Sequence, residues 1–313
     1  MFGKTGSGAA AAEGEYFLPL GAIEARRYDV IHTHSGFHHR KLLEMQMKRS
    51  ARQRWVHTLH SVSLDYLFGC RDWFNWRCYY STLIEGMWSR YADHVIGVSG
   101  AVRKWALRWF GIEAEKISVI PNGYAPDGAG GESRREIRQK LGFGPEELVV
   151  LFVGRGEDKV KGARQVAAAL EELARRYPSL RLLAIPGTGF QPAPWLCRAG
   201  QVPHQQMAGY YRAADLFVNA SFSEGMPLTV IEAMHAGLAI VAAPVGGIPE
   251  VIRAEQTGLL LRRDHRDLVS QLDRLIREDA LRQKLGKAAR QAAEELSWDH
   301  LARQTVEVYR RLF

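Results

Sequence analysis

The stretch that most constrains this chain is Glu224-Gly225-Met226-Pro227-Leu228-Thr229-Val230-Ile231-Glu232-Ala233-Met234. Before it runs a short apolar segment, Leu216-Phe217-Val218-Asn219, and after it His235-Ala236-Gly237 leads into a second apolar run, Leu238 to Ala242. The order reads strand, loop, helix, strand. Pro227 suits the first helical turn, where its missing N–H costs nothing, and Gly237 suits the helix end. Glu224 then falls in the loop and Glu232 in the second turn, which brings two carboxylates to one end of the unit. The amides of Gly225 and Met226 open towards the same space, with the positive end of the helix dipole behind them. Such a site fits a ligand that carries both hydroxyls and phosphate. The alternative at this level is a surface helix bearing two unrelated glutamates.

The strand–helix alternation extends along the whole chain and predicts an α/β fold. Asp29 to His34 reads as a buried strand with His32 and His34 on one side, because strand side chains alternate. Those two histidines are a candidate metal pair, weakened by the lack of a neighbouring carboxylate or cysteine. Residues 38–54 read as a basic helix: Arg40, Lys41, Lys48, Arg49, Arg52 and Arg54 are offset by Glu44 alone. At about 100° per residue Lys41, Lys48 and Arg52 form one stripe, with Leu43 and Met47 opposite. This stripe is either a solvated outer face or a surface for peripheral contact with an anionic membrane.

Trp55 to Ser61 is the next strand, with His60 at its C-terminal end, where parallel sheets bind ligands. An aromatic cluster follows, Tyr66, Phe68, Trp73, Phe74, Trp76, Tyr79 and Tyr80, interleaved with Arg71 and Arg77. It suits core packing, a lid or an acceptor platform. His94–Val98 and Ile117–Ile120 are further strands, Ser99 caps the helix between them, and Tyr124 to Gly131 reads as a linker.

Leu148 to Val153 is a continuous apolar run of the kind buried in parallel sheets. Gly154-Arg155-Gly156-Glu157-Asp158-Lys159-Val160-Lys161-Gly162 follows, and then a helix with Val166, Leu170, Leu173 and Tyr177 on one face. A phosphate site needs fixed positive charge beside unhindered amides, and Arg155 and Lys161 supply the charge at a Gly-rich strand-to-helix turn. Two solvated cations would give the same pattern.

With 313 residues, two domains of ordinary size are expected. No apolar run approaches the roughly 18 residues that span a bilayer. Cys70, Cys78 and Cys197 have neither paired count nor C-x-x-C spacing, which points to a reducing, cytoplasmic setting without disulfides or zinc. The net charge of +8 admits nucleic acid, anionic membrane or anionic substrate, but no nucleic-acid-binding motif is visible.

Several of these strings occur together in one family. The E-x7-E pattern from Glu224 to Glu232, followed by Val245-Gly246-Gly247-Ile248-Pro249-Glu250, resembles the donor site of retaining glycosyltransferases of family 4. So do G-R-x5-K-G at Gly154–Gly162, T-L-H-S at Thr58–Ser61, D-V-I-H-x-H at Asp29–His34, A-D-H-V-I-G-V-S and K-I-S-V-I-P-N-G. The resemblance covers residues 28–312 and is strongest over 148–262. It implies the GT-B fold: two Rossmann-like domains facing each other across a cleft. The domains would be 1–125 for the acceptor, 126–297 for the donor, and a terminal helix over 298–313 crossing back to the first domain. The family's first strand and glycine-rich loop should precede residue 28, and Gly3 to Gly8 follows no strand, so the first domain is expected to be reduced.

The resemblance also implies the chemistry. A nucleoside diphosphate sugar, UDP by family habit, would donate its sugar to an acceptor hydroxyl with retention and without a metal or other cofactor. Arg155 and Lys161 would clamp the diphosphate, with Gly154 and the backbone of Gly225, Met226, Pro227 and Leu228 around it. Glu224 would orient the sugar, Glu232 the ribose, and His60 would reach the sugar from the other domain. The acceptor is left open as a carbohydrate, a lipid-linked or a small molecule. The alternatives are a non-catalytic nucleotide-sugar or carbohydrate-binding protein and a nucleotide-sugar epimerase, for which Asp65 or Asp72 would be the local acid/base groups.

Overall fold

A computed structural model describes residues 28–34, 49–60, 76–124, 132–157, 159–262 and 264–313, with the side chains of 76–82 excepted. Outside the described residues lie the loop at Gly3–Gly8, Arg40, Lys41 and Lys48, the candidates Asp65 and Asp72, the aromatic residues from Tyr66 to Phe74, and most of the expected linker.

Two wholly parallel sheets organise the molecule. The first runs β1 (Val30–His34), β2 (Arg54–Leu59), β3 (His94–Gly97), β4 (Ile117–Val119) in that spatial order. The second contains β5 (Leu148–Gly154), β6 (Leu180–Pro186), β7 (Leu196–Arg198), β8 (Leu216–Asn219), β9 (Ala239–Ala242) and β10 (Leu259–Leu260). Its order is β10-β9-β8-β5-β6-β7, so the chain reverses direction across the sheet between β8 and β5. Ligands bind at such reversals, beyond the carboxyl ends of the strands. Apolar runs form the central strands because both faces are covered: Val149, Val150 and Leu151 are fully buried, as are Leu216 and Ile240.

The helices, in chain order, are α1 (Trp76–Ser89), α2 (Gly100–Phe110), α3 (Arg134–Lys140), α4 (Ala163–Arg176), α5 (Met207–Ala213), α6 (Leu228–His235), α7 (Ile248–Val251), α8 (His265–Arg277), α9 (Asp279–Ala293) and α10 (Trp298–Arg310). Local chemistry sets their ends. Ser99 caps α2 by accepting from the Val102 amide, and Gly111, at φ 63°, ends it. Ser133 and Glu136 close a capping box on α3. In α4 Val166, Leu170 and Leu173 of the expected stripe are fully buried, whereas Tyr177 stands just past the helix, half-buried, with its hydroxyl donating to Asp273. Pro227 stands one place earlier than expected, as the residue before α6 rather than inside its first turn.

The last helix returns to the first sheet. Tyr124 and the segment before α10 pair by backbone hydrogen bonds, Tyr124 N to Leu296 O and Trp298 N to Tyr124 O. Leu301 and Val308 of α10 then pack with Val56, Ile96 and Ile120 of the first half. Arg54 extends this seam, donating to the Leu312 carbonyl at 3.0 Å.

The basic helix expected over 38–54 is not formed over 49–54, the part of it that lies among the described residues. Residues 49–53 form a turn, with Gln53 N donating to Ser50 O, and Arg54 opens β2 opposite Val30. Burial of Trp55 and Val56 decides this, since their strand pairing fixes the residue before them. Two of the six cations are also committed: Arg49 and Arg54 both engage Asp93. Neither belongs to the stripe of Lys41, Lys48 and Arg52, but the segment loses both as freely presented charges.

Candidate active site

The Gly154–Gly162 loop leaves β5 at the reversal of strand order. Gly162, at φ 72°, occupies a left-handed conformation, and a Cβ there would lie 2.1 Å from the Ala220 carbonyl oxygen. Only glycine lets α4 start this close to the end of β8. The close approach delivers Lys161, whose Nζ lies 2.7 Å from Glu224 Oε1. The Ser221 hydroxyl donates to the same oxygen at 2.7 Å, and Asn219 Nδ2 reaches it at 3.5 Å. Glu224 is thus nearly buried and held through Oε1 alone by three donors. Arg155 is exposed on the same loop and has no hydrogen-bond or ion-pair partner among the described residues.

The loop from Glu224 to Leu228 is braced from both sides. Val245 to Glu250 folds beneath it: Gly247 N donates to Gly225 O at 2.7 Å, and a Cβ on Gly246 would lie 2.0 Å from Glu224 O. The first half meets it directly. Asn122 Nδ2 donates to Met226 O at 2.7 Å, and a Cβ on Gly225 would stand 1.7 Å from the His60 carbonyl oxygen. Glu250 answers in the other direction, accepting from the amides of Gly100 and Ala101 at the start of α2. That arrangement places a carboxylate on a helix N-terminus, where the dipole favours it. The amides of Gly225 and Met226 meet no protein acceptor among the described residues.

Glu232 projects from the second turn of α6 and is 8% exposed. The hydroxyl of buried Tyr211 donates to its Oε2 at 2.6 Å, while His204 Nε2 lies 3.5 Å from Oε1, which is the outer oxygen. Burial raises the Tyr211 hydroxyl pKa well above its ordinary value, and the adjacent Glu232 carboxylate adds to this. Tyr211 therefore stays a proton donor and fixes the carboxylate in one orientation.

His60 lies half-buried just beyond β2, with Nε2 2.9 Å from Nδ1 of His34. Burial lowers its pKa, so it enters the site as a neutral imidazole. His32 and His34 stack on one side of β1, as alternation requires. Both ring nitrogens of His32 are already engaged, by Tyr309 and Thr58, so a metal on the His32–His34 pair would have to break those bonds.

The structure therefore brings together Lys161, Glu224, the loop at Gly225–Leu228 and the backbone of His60. Arg155 and Glu232 make no hydrogen bond or ion pair with this group among the described residues. The sequence assigns no site role to Asn219, Ser221, Tyr211 or His204, and Asn122 and Glu250 stand there only within longer motif strings. Asn219 and Ser221 carried a usable signal, being polar residues at the carboxyl end of an apolar strand just before Glu224. The others lie on separate elements and become neighbours only through folding.

The profile described as Glycosyltransferase Family 4 matches residues 17–127, and that described as Glycosyl transferases group 1 matches residues 147–278. A D-inositol 3-phosphate glycosyltransferase of Rhodococcus opacus (strain B4) is 30% identical over 312 residues, spanning 90% of this chain and 67% of that protein. The chain belongs to glycosyltransferase family 4. Its fold is GT-B: sucrose-phosphate synthase from Thermosynechococcus elongatus superposes with a TM-score of 0.75 at 27% identity, covering 92% of this chain and 74% of the other. Anabaena Alr3699/HepE, solved in complex with UDP-glucose, superposes with a TM-score of 0.73 at 20% identity, covering 92% and 80%. In this glycosyltransferase the family match starts at residue 17, upstream of the position where the sequence resemblance was placed. Among the described residues its first sheet has four strands and its second has six.

Proposed function

We propose that this glycosyltransferase moves a sugar from a nucleoside diphosphate sugar, UDP favoured, to an acceptor hydroxyl with retention of anomeric configuration. The observation that carries the reading is the Lys161–Glu224 pair at the reversal point, set against a loop with open amides and touched by His60. In the step itself the bond from the anomeric carbon to the diphosphate oxygen breaks, and its electrons leave with the diphosphate. The acceptor oxygen bonds to the same face of that carbon, and its proton passes to the departing phosphate oxygen. The products are the glycoside and the nucleoside diphosphate.

The barrier lies in the negative charge that grows on the diphosphate. Lys161, Arg155 and the amides near Gly225 to Leu228 would meet that charge, a task a divalent cation performs at other sites. Losing one such preorganised contact costs roughly 3 to 4 kcal/mol, about 10² to 10³ in rate. Glu224, held on Oε1, would turn Oε2 to the sugar hydroxyls, and Glu232 would offer Oε1 to the ribose. His60, neutral, would hydrogen-bond the sugar from the first half. The acceptor is unassigned. A membrane contact through 38–54 would rest on Arg40, Lys41, Lys48 and Arg52, since Arg49 and Arg54 are held by Asp93.

The test is a thermal-shift screen with UDP, GDP and ADP and their sugars on the wild type and Lys161→Ala. A nucleotide at 100 times its dissociation constant stabilises by about 2.7 kcal/mol. The expected result is a shift with one nucleotide, lost in Lys161→Ala. No shift with any of them would overturn the donor site and the reaction built on it.

A further inference from the structure

Four histidines gather at the carboxyl end of the first sheet, and three of them form a continuous stack. The rings of His32 and His34 lie 4.5 Å apart and nearly parallel, and those of His34 and His60 lie 5.2 Å apart at 27°. Hydrogen bonds pin both ends of the stack. At one end His34 Nδ1 lies 2.9 Å from His60 Nε2. At the other, the Tyr309 hydroxyl lies 2.5 Å from His32 Nδ1, with the Thr58 hydroxyl 2.7 Å from His32 Nε2. His57 faces the opposite side of the sheet, between Thr33 and Glu85, and is not part of the stack.

The stack joins two places that are far apart in sequence. Tyr309 belongs to α10, the helix that returns from the second half, and is 277 residues from His32. His60 is the residue whose carbonyl abuts Gly225 of the donor loop. Packing alone would be served by apolar side chains here. Three imidazoles instead impose tautomers, because a bond between two neutral rings needs one N–H donor and one bare nitrogen. Burial holds His32 near about 3 and His34 near about 4, with neighbouring histidines adding to the shift, so both rings are neutral at ordinary pH. A single proton then lies between His34 and His60, which couples their tautomers: whichever ring donates, the other must present a bare nitrogen.

We propose that His34 is a positioning residue for His60, and that Tyr309 anchors the pair through His32, so that the terminal helix governs the geometry of the first half's contact with the transferred sugar. The kinetic part of this proposal rests on the reading of His60 as sugar-facing; the structural part does not.

The experiment compares wild type with His34→Ala, His34→Asn, His34→Gln and Tyr309→Phe. Long-range ¹⁵N spectra of histidine-labelled protein at pH 7 report whether each ring holds one tautomer. The wild type should show His60 as a single tautomer, and His34→Ala should show it averaging. His34→Asn should restore it, because the asparagine amide takes the place of Nδ1, whereas the longer glutamine should not. Tyr309→Phe should release His32 and weaken the constraint on His60. Hydrolysis of UDP-glucose, followed as UDP release, should fall about tenfold in kcat in His34→Ala with KM within twofold, and recover in His34→Asn. A His60 tautomer unchanged in His34→Ala would overturn the proposal whatever the enzyme does with UDP-glucose. The UDP thermal shift on the same proteins separates the two questions: its absence from the wild type overturns the donor reading alone, and the spectra still decide the stack.

Discussion

The two halves of the molecule hold their functional groups in different ways. In the second, the groups lie on two strand-to-helix connections of the same sheet, Gly154–Gly162 and Glu224–Pro227 with the first turns of α6, and the pair that joins them, Lys161 and Glu224, is 63 residues apart. In the first half His60, at the end of β2, bonds His34 of β1, and the neighbouring His32 bonds a tyrosine from the far end of the chain. On the proposed reading the second half carries the nucleotide-binding groups on its own loops, with Asn122 and the His60 carbonyl of the first half set against one of them. The first half's histidine lies where its chain meets Gly225. Binding and positioning are thus separable: damage to the loops should remove nucleotide affinity, and damage to the contact or the stack should spare affinity and slow transfer.

The strongest way to break this comparison is at the point where the halves touch. Gly225→Ala puts a methyl group where the His60 carbonyl oxygen stands, so the first half must withdraw. A misplacement of about 1 Å can cost about 10² in rate. Gly225→Ala is expected to lower kcat about a hundredfold while UDP binding, by calorimetry, changes less than threefold. Equal losses in both would show that the donor loop itself had collapsed and that the halves are not separable.

This division also governs what the sequence could reveal. Glu224, Glu232, Lys161 and the glycines around them occur in contiguous strings, because strand–loop–helix units build their sites from neighbours in the chain. The capping box of Ser133 and Glu136 is equally local, two residues three apart that open α3. The reach of Tyr309 to His32 left no trace in either segment, since nothing in a helical tyrosine specifies which strand edge it will meet. The helix over 38–54 was overextended for a related reason. Its charge pattern is helical, but Arg54 is claimed by the strand pairing of its buried neighbours and by Asp93, both distant in sequence.

A smaller effect sharpens the account of the second half. Tyr211 holds Glu232 Oε2 from α5, so Tyr211→Phe leaves the carboxylate free to turn. A hydrogen bond to a charged group contributes roughly 1.5 to 3 kcal/mol. If about 1.4 kcal/mol of that is felt by the ribose, nucleotide affinity drops tenfold. Calorimetry with UDP should show this loss, while kcat at saturating donor stays within twofold. A fall in kcat with unchanged affinity would move Glu232 out of the ribose role.

A further test concerns acid, and it asks whether the halves differ in stability as well as in design. Burial lowers the pKa of His32, His34, His60 and His94 in the first half, and of His235 alone among the described residues of the second. Between the ordinary histidine value of 6.5 and these lowered values, the unfolded chain binds protons that the folded chain refuses. Stability therefore falls as pH drops below 6.5, and for His32 the loss continues until about 3. Each such group contributes at most about 1.4 kcal/mol per pH unit, and less where water reaches it, as at His34. Hydrogen exchange at pH 7 and pH 5, corrected for intrinsic rates, should show β1 and β2 losing more protection than β5 and β8. His32→Gln should flatten the dependence in the first sheet and leave the second unchanged. Uniform loss across both sheets would mean that the halves unfold as one unit, and that the contact at Gly225 couples them more tightly than their separate sites suggest.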